Sequence, residues 1–435
     1  MSAAKFKSPL KSQLADLIQA NRKKLWDWHM SHAEKVSAPF YCSVDLRDSG
    51  FKIAPVDSNL FPGGFNNICH EDVKTSMPIF RAHIEAEMSQ LNLQRPTRIL
   101  VVPESHTNNK YYIENLYYLT NILKGAGFEV ALGWYGSLSE GVSQEIELVA
   151  ESGNKLKAYP MVVKNKRAQI EIAGKTFDPE MLILNNDFSG GYPKMLDGLE
   201  QPVFPSHSLG WHSRKKSRHF YHYNRLAGEF ASIVGMDPWA IQVETDEVTP
   251  VNFNEEIGID QVTEKVGNIL EHTRKEYAQR KIEQPPFVFV KNNSGTYGMG
   301  IMMVHSADEL KKMNRRTKNK MSVGKNRQDI GSVAIQEGIP TSTIVDKHAA
   351  EPVIYLVGCE LIGGFLRTNT AKGVEENLNS EGMVFRKLCM SDLRDPVQEE
   401  RPTAGDCVLE LVYGSIARLS ALATGYELLE AKTPR

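Results

Sequence analysis

The run Phe287-Val288-Phe289-Val290-Lys291-Asn292-Asn293-Ser294-Gly295-Thr296-Tyr297-Gly298-Met299-Gly300-Ile301 decides how the rest of the chain is read. An apolar strand ends in a lysine, a loop with three glycines follows, and a second apolar strand begins at Ile301. Glycine has no Cβ, so backbone N–H groups can approach an anion closely, and the lysine adds a positive charge. The run is not a Walker A loop, because no GxxxxGK[ST] is present. Nor is it a dinucleotide fingerprint, since the order is GxxGxG and no helix follows. A glycine-rich turn without a ligand would use the same residues. Lys291 at the strand end shifts the reading toward phosphate.

Downstream, Val333-Ala334-Ile335-Gln336-Glu337-Gly338-Ile339 is a strand ending in an acid and a glycine. Strands at 352–357 and 361–368 follow, the second running into Arg367-Thr368-Asn369, and then the polar loop 375–382. The stretch 314–329, rich in Lys and Arg, reads as a surface loop, and 406–424 as a helix. Upstream, apolar residues at helical spacing predict helices over 9–35, 70–92, 109–126, 139–151 and 255–282. Strands at 98–102, 128–132 and 181–184 alternate with them. Alternation of this kind implies an α/β fold with a parallel sheet. The loop after the last of these strands, 185–191, sits where open α/β sheets bind ligands, which makes Asn186 a candidate substrate contact.

The chain has 435 residues, 41% hydrophobic and 24% charged, with a net charge of −2. That is globular composition, long enough for about three domains. It offers no basic field for nucleic acid or an anionic membrane, and no apolar run long enough to span one. Five scattered cysteines without a CxxC argue against a disulfide framework or a structural zinc site and fit the cytoplasm. Neither they nor the adjacent Cys69-His70 are placed like a nucleophile. An oligomer is compatible with the sequence, which has no feature that decides it.

The order strand–Lys291, glycine loop, Gln336-Glu337-Gly338-Ile339, Glu351-Pro352-Val353 and Arg367-Thr368-Asn369 resembles the ATP-grasp ligases. On that resemblance Lys291, Ser294, Gly295, Thr296, Gly298 and Gly300 hold ATP phosphates. Gln336 and Glu337 meet adenine or ribose, and Arg367 stabilises the transferring phosphoryl group. Such enzymes usually follow their last helix with a hairpin of metal-binding acids, and here no acid-x-Asn follows 406–424. The pattern instead occurs near the start, as Asp45, a turn at Asp48-Ser49-Gly50, then Asp57-x-Asn59 before Pro62-Gly63-Gly64. Residues i and i+2 of a strand share a face, so Asp57 and Asn59 can converge on one ion with Asp45 on the neighbouring strand. Carboxylate and amide oxygens suit Mg²⁺, or Mn²⁺ in its place. Turn formation alone also explains these residue types. The fold expected is therefore a circularly permuted ATP-grasp: 1–66 carries the metal hairpin, 67–250 the substrate-binding α/β domain, and 251–435 the ATP-binding lobes.

Segment 56–67, with 291–301 and 375–382, resembles a bacterial family of glutamate–cysteine ligases over nearly the whole chain. That resemblance implies L-glutamate and L-cysteine as substrates, ATP consumed through an acyl phosphate, and the first step of glutathione biosynthesis. Another carboxylate–amine ligase, such as a glutathione synthetase, would keep the same ATP site. A nucleotide-binding protein without turnover is the reading outside enzymes. The cluster 206–222 holds four of the 12 histidines and several cations. Arg214 and Arg218, four apart on a helix, are candidate ligands for substrate carboxylates. A solvated helix start reads the same residues without function, and zinc is disfavoured.

Overall fold

The computed structural model describes residues 8–104, 109–135, 145–295, 300–323, 330–388 and 410–432. The chain opens with α1 (Pro9–Ala20) and α2 (Arg22–Ala33), in place of one long helix. Ser8 caps α1, its side chain accepting from the Lys11 N–H, and Pro9 occupies the first turn, where no N–H is needed. A hairpin follows, β1 (Tyr41–Asp48) and β2 (Ile53–Asn59), then α3 (His70–Gln90).

The α/β region comprises β3 (Arg98–Pro103), α4 (Lys110–Gly125), β4 (Glu129–Trp134), β5 (Ile146–Val149), β6 (Lys155–Pro160), β7 (Val162–Lys164), β8 (Arg167–Ile172), β9 (Lys175–Phe177), β10 (Met181–Asn185) and β11 (Val203–Phe204). Six of these form one sheet in the order β11-β10-β3-β4-β6-β5, parallel except for the β5–β6 pair. β5 corrects the sequence reading, which placed a helix over 139–151; residues 139–144 lie outside the described ones. Ile146-Glu147-Leu148-Val149 pairs with β6 across the turn at Ser152-Gly153-Asn154, where Gly153 takes φ +85°. That turn is the signal that separates a hairpin from a helix here.

Next come α5 (Lys216–Val234), β12 (Thr245–Val248), α6 (Ile259–Gln279), β13 (Val288–Asn292), β14 (Ile301–Val304), α7 (Asp308–Lys311), α8 (Arg315–Ser322) and β15 (Val333–Glu337). Four strands make an antiparallel sheet, β12-β15-β13-β14. It is covered by α6 through Val262, Val266, Ile269 and Leu270, the one apolar stripe of that charged helix. A loop was expected at 314–329, yet Arg315–Ser322 is helical: Asn314 caps it by accepting from the Thr317 N–H, and Met321 is fully buried. Since β12 pairs with β15, the expected boundary at residue 250 falls inside this sheet's sequence span.

The chain closes with β16 (Ile344–Val345), β17 (His348–Val357), β18 (Glu360–Asn369), β19 (Met383–Leu388) and, after one π-helical turn, α9 (Ser415–Lys432). The N-terminal hairpin joins these strands in one antiparallel sheet, β19-β18-β17-β1-β2, with β16 on β17. Two-residue periodicity divides it. Cys42, Val44 and Leu46, with Ile354, Leu356 and Leu366, enter a core built with α1, α5 and α9. On the opposite face Tyr41, Val353, Tyr355 and Phe365 pack toward α3 and the parallel sheet. Further along that face the alternate positions turn polar, as Asp45, Arg47, Glu351 and Arg367. Cysteine chemistry departs from expectation at one place: Cys69 is disulfide-bonded, while Cys42 and Cys359 are free thiols.

Candidate active site

The two antiparallel sheets meet at a cleft, and the residues lining it come from distant parts of the chain. Asp45, Arg47, Asp57, Lys216, Lys291, Gly295, Glu351, Arg367, Asn377 and Asn379 all face it. Four cations thus oppose three carboxylates within one small volume.

The hairpin's register explains how its acids converge. Asp45 pairs directly with Asp57, and Ser43 with Asn59, so the candidate metal residues lie on adjoining strands. Between Asp45 and Leu46 the register shifts, leaving Val56 as an extra residue on β2. The Val56 carbonyl accepts from Lys291 Nζ at 3.1 Å, and Gln336 Oε1 accepts from the same ammonium at 2.5 Å. Lys291 and Asp57, more than 230 positions apart in the chain, therefore share a site. Burial, with Lys216 and Arg47 close by, lowers the Lys291 pKa to about 8 against the pull of Asp57. Burial pushes Asp57 up, but the Lys216 ammonium at 2.5 Å, with Lys291 and Arg214 behind it, holds the carboxyl below its ordinary range. For Asp45 burial wins over Arg367, and its pKa is raised.

Arg367 donates from Nη1 to Asp45 Oδ2 at 2.6 Å and to Glu351 Oε1 at 2.8 Å. Among the described residues two buried atoms here lack any partner, Arg367 Nε and Asp45 Oδ1. A buried donor and a buried acceptor left unmatched are costly, and a ligand that satisfies both removes the penalty. Among the described residues no three His, Cys, Asp or Glu side chains are grouped to hold a metal unaided. A hard cation held by Asp45 and Asp57 would need further oxygens from a bound ligand. The orphaned Asp45 oxygen fits such an ion.

Of the glycine loop, Ser294, Gly295 and Gly300 are described; Thr296 and Gly298 lie outside the described residues. Gly300 has φ +62°, and a Cβ there would stand 2.5 Å from Ile330 Cδ1, so the turn back into β14 requires glycine. Ser294 Oγ donates to the Arg214 carbonyl at 2.7 Å, tying the loop to the segment before α5.

Other sequence-picked residues go elsewhere. Glu337 is buried, its carboxylate taken up by Lys52 Nζ at 2.5 Å and the Glu244 N–H at 3.2 Å. It ties the hairpin tip to β15 and is engaged within the protein. Arg214 is 3% exposed and its guanidinium is engaged by Glu427, Ser58 O and Thr424. Arg218 pairs with Glu430 at the surface, outside the cleft. Asn186 is buried at the carboxyl end of β10, donating to Tyr135 OH at 2.7 Å and accepting from the Phe188 N–H at 2.9 Å. Its position matches the expectation, and its amide is already bonded within the protein on both sides.

Sequence reasoning missed Arg47, Lys216 and Glu351 as cleft residues. Lys216 was visible only as one more cation in a basic run. Glu351 faces Arg367 across the β17–β18 register, and a pairing partner cannot be read from one strand.

A sequence model of the family described as Glutamate-cysteine ligase matches residues 15–428. The chain belongs to that family. Its activity is accordingly that of a glutamate–cysteine ligase, which uses ATP and a divalent metal. It is similar to a crystal structure of a protein provisionally named gamma-glutamylcysteine synthetase, from Methylobacillus flagellatus KT. The two share 35% identity at a TM-score of 0.85, covering 99% of this chain and 100% of that one. A D-alanyl-alanine synthetase A from Vibrio cholerae O1 biovar eltor str. N16961 matches at 12% identity and TM-score 0.36, over 75% of this chain and 81% of that one. A glutathione synthetase-like effector from Globodera pallida matches at 10% identity and TM-score 0.38, over 87% and 85%. These last two add nothing to the assignment. No functionally curated protein matches the chain significantly. As in other members of the α/β class, strands and helices are mixed, with parallel and antiparallel sheets. Among the described residues of this glutamate–cysteine ligase family member, no helix is long and apolar enough to cross a membrane.

Proposed function

We propose that the cleft between the two antiparallel sheets is an ATP-grasp site, and that the ligase works there through an acyl phosphate. The side-chain carboxylate of L-glutamate attacks the γ-phosphorus of ATP, and the bond to ADP breaks. The amine of L-cysteine then attacks the acyl carbon, phosphate leaves, and the amine proton is lost to solvent. The product is γ-glutamylcysteine, and no covalent enzyme intermediate is involved. The observation that carries this reading is the meeting of Lys291 with the Asp45–Asp57 pair beside two unmatched buried atoms.

Lys291 holds the transferring phosphate by charge and hydrogen bonding. Arg367, whose buried Nε is unmatched, would stabilise the negative charge that develops on the transferring phosphoryl group. Asp45, Asp57 and Asn59 would hold Mg²⁺, which when bound neutralises phosphate charge. Lys216 belongs to the same phosphate-facing set, since it sits beside Asp57 at the N-terminus of α5. For the division of the chain, we propose that 1–66 supplies the metal hairpin and the parallel sheet holds the amino acids. The span from α5 to β12 joins the ATP-binding part. The cytoplasmic setting belongs to this proposal too; the free thiols favour it and the Cys69 disulfide counts against it.

The test is ADP release against a panel of amino acids, which should require both L-glutamate and L-cysteine, or a cysteine analogue with a free amine. Turnover with γ-glutamylcysteine plus glycine, and none with glutamate plus cysteine, would overturn the assignment.

A further inference from the structure

The reading of Asp57 and Asn59 as metal ligands leaves open what aims them. β2 is the edge strand of its sheet, so alternate carbonyls along its outer side have no strand partner. Two of them, at Val56 and Ser58, flank Asp57. Val56 O accepts from Lys291, and Ser58 O accepts from Arg214 Nη1 at 2.6 Å. An edge strand gripped at i and i+2 cannot roll about its own axis, and that roll sets where Asp57 and Asn59 point.

Arg214 makes a rigid grip. Its Nε and Nη2 donate to the two carboxylate oxygens of Glu427, each at 2.9 Å, a bidentate pairing. Glu427 is itself held by His219 Nδ1 at 2.6 Å, and His219 Nε2 contacts Ser420 Oγ at 3.0 Å. The Arg214 side chain is 2% exposed and that of Glu427 3%. A buried ion pair is weak support for stability, since well-packed apolar groups often do as well. What an apolar pair cannot supply is the directed bond to Ser58 O. The main chain of Arg214 reaches the other way, its carbonyl accepting from Ser294 Oγ of the glycine loop.

We infer that Arg214, braced on Glu427, is a positioning residue that aims the metal strand at the phosphate loop. The inference rests on the proposed metal role of Asp57. It separates the two ends of Arg214: the side chain governs the metal, while the loop contact uses the backbone and survives substitution.

The probe is Mn²⁺ titrated by electron paramagnetic resonance into the full-length enzyme with a non-hydrolysable ATP analogue, so that no turnover is involved. The double variant Arg214→Met with Glu427→Gln removes both buried charges together and keeps an acceptor for His219. It should retain its melting temperature and its metal-free affinity for the analogue, while Mn²⁺ binds at least tenfold more weakly. Arg214→Lys keeps the charge but loses the planar fork, and should weaken Mn²⁺ in the same direction; it also decides the matter if the double variant does not fold. Native Mn²⁺ affinity in a folded variant overturns the inference. So does a loss of metal-free analogue binding in parallel with Mn²⁺, which would mean general distortion. Asp57→Asn tells the two proposals apart: if it leaves Mn²⁺ binding unchanged, the metal reading itself fails.

Discussion

Replacing Lys291 by methionine tests the ATP site most directly. Lys291 is 8% exposed and its ammonium is bonded to Gln336 and Val56 O, so without ligand it already stands where the proposed site puts phosphate. A hydrogen bond to a charged group contributes about 1.5–3 kcal/mol, which is about 10- to 150-fold in ATP affinity. If the contact tightens as charge moves in the transition state, removing it costs a further 10²–10³-fold, on the order of an oxyanion-hole donor, in kcat. Stability should move the other way. Burial has brought the Lys291 pKa to about 8, so carrying the proton at neutral pH is a cost of about 3 kcal/mol that methionine does not bear. The melting temperature without ligands should hold or rise. The assay is coupled ADP release at varied ATP with saturating glutamate and cysteine, alongside thermal unfolding of the free protein. A folded Lys291→Met with native KM and kcat would refute the reasoning, and a fall in Tm with unchanged kinetics would make Lys291 a structural strut.

Asp57→Asn should abolish turnover and leave the ligand-free melting temperature nearly unchanged, with excess Mg²⁺ restoring only part of the rate; full activity in this variant would remove the metal role. The free enzyme needs the Lys291 proton, so kcat/KM for ATP should fall as pH rises through about 8, and Lys291→Arg should move that limb upward in a pH–rate profile. Glu427 is pushed up by burial but held at about 2, mainly by Arg214, against an ordinary 4.5; its contribution to stability is complete above the unfolded value and lost as pH falls from 4.5 toward 2, and acid unfolding should be flatter in this range for the Arg214→Met/Glu427→Gln protein. Arg218→Ala removes a surface pair with Glu430, worth about 0–1 kcal/mol, and a stacking contact with Tyr221, and steady-state kinetics should not change.

Much of the proposed ATP site was legible from local pattern. An apolar strand running into Lys291 and a glycine loop is a contiguous signal, and strand, lysine and turn lie where the pattern puts them. The Asp45…Asp57-x-Asn59 spacing was equally local, because strand periodicity alone puts i and i+2 on one face. What the sequence did not contain was partnership. Whether Glu337 meets a nucleotide or Lys52, or whether Arg214 faces substrate or Glu427, depends on which distant side chain reaches it first; Lys52 and Glu427 lie 285 and 213 positions away. The β5 strand was misread because four residues fit either period, and only pairing with β6 decided between them. Arg47 and Lys216 carry no motif of their own, and the Glu351-Pro352-Val353 motif does not say what Glu351 faces. They become part of the site only when β1 lies against β17 and the start of α5 against β2. Backbone geometry acts over a few residues, so a sequence displays strands, turns and the residues that share a face. Burial and charge pairing act through space, and the tertiary structure alone determined which of those residues remain free to meet a ligand.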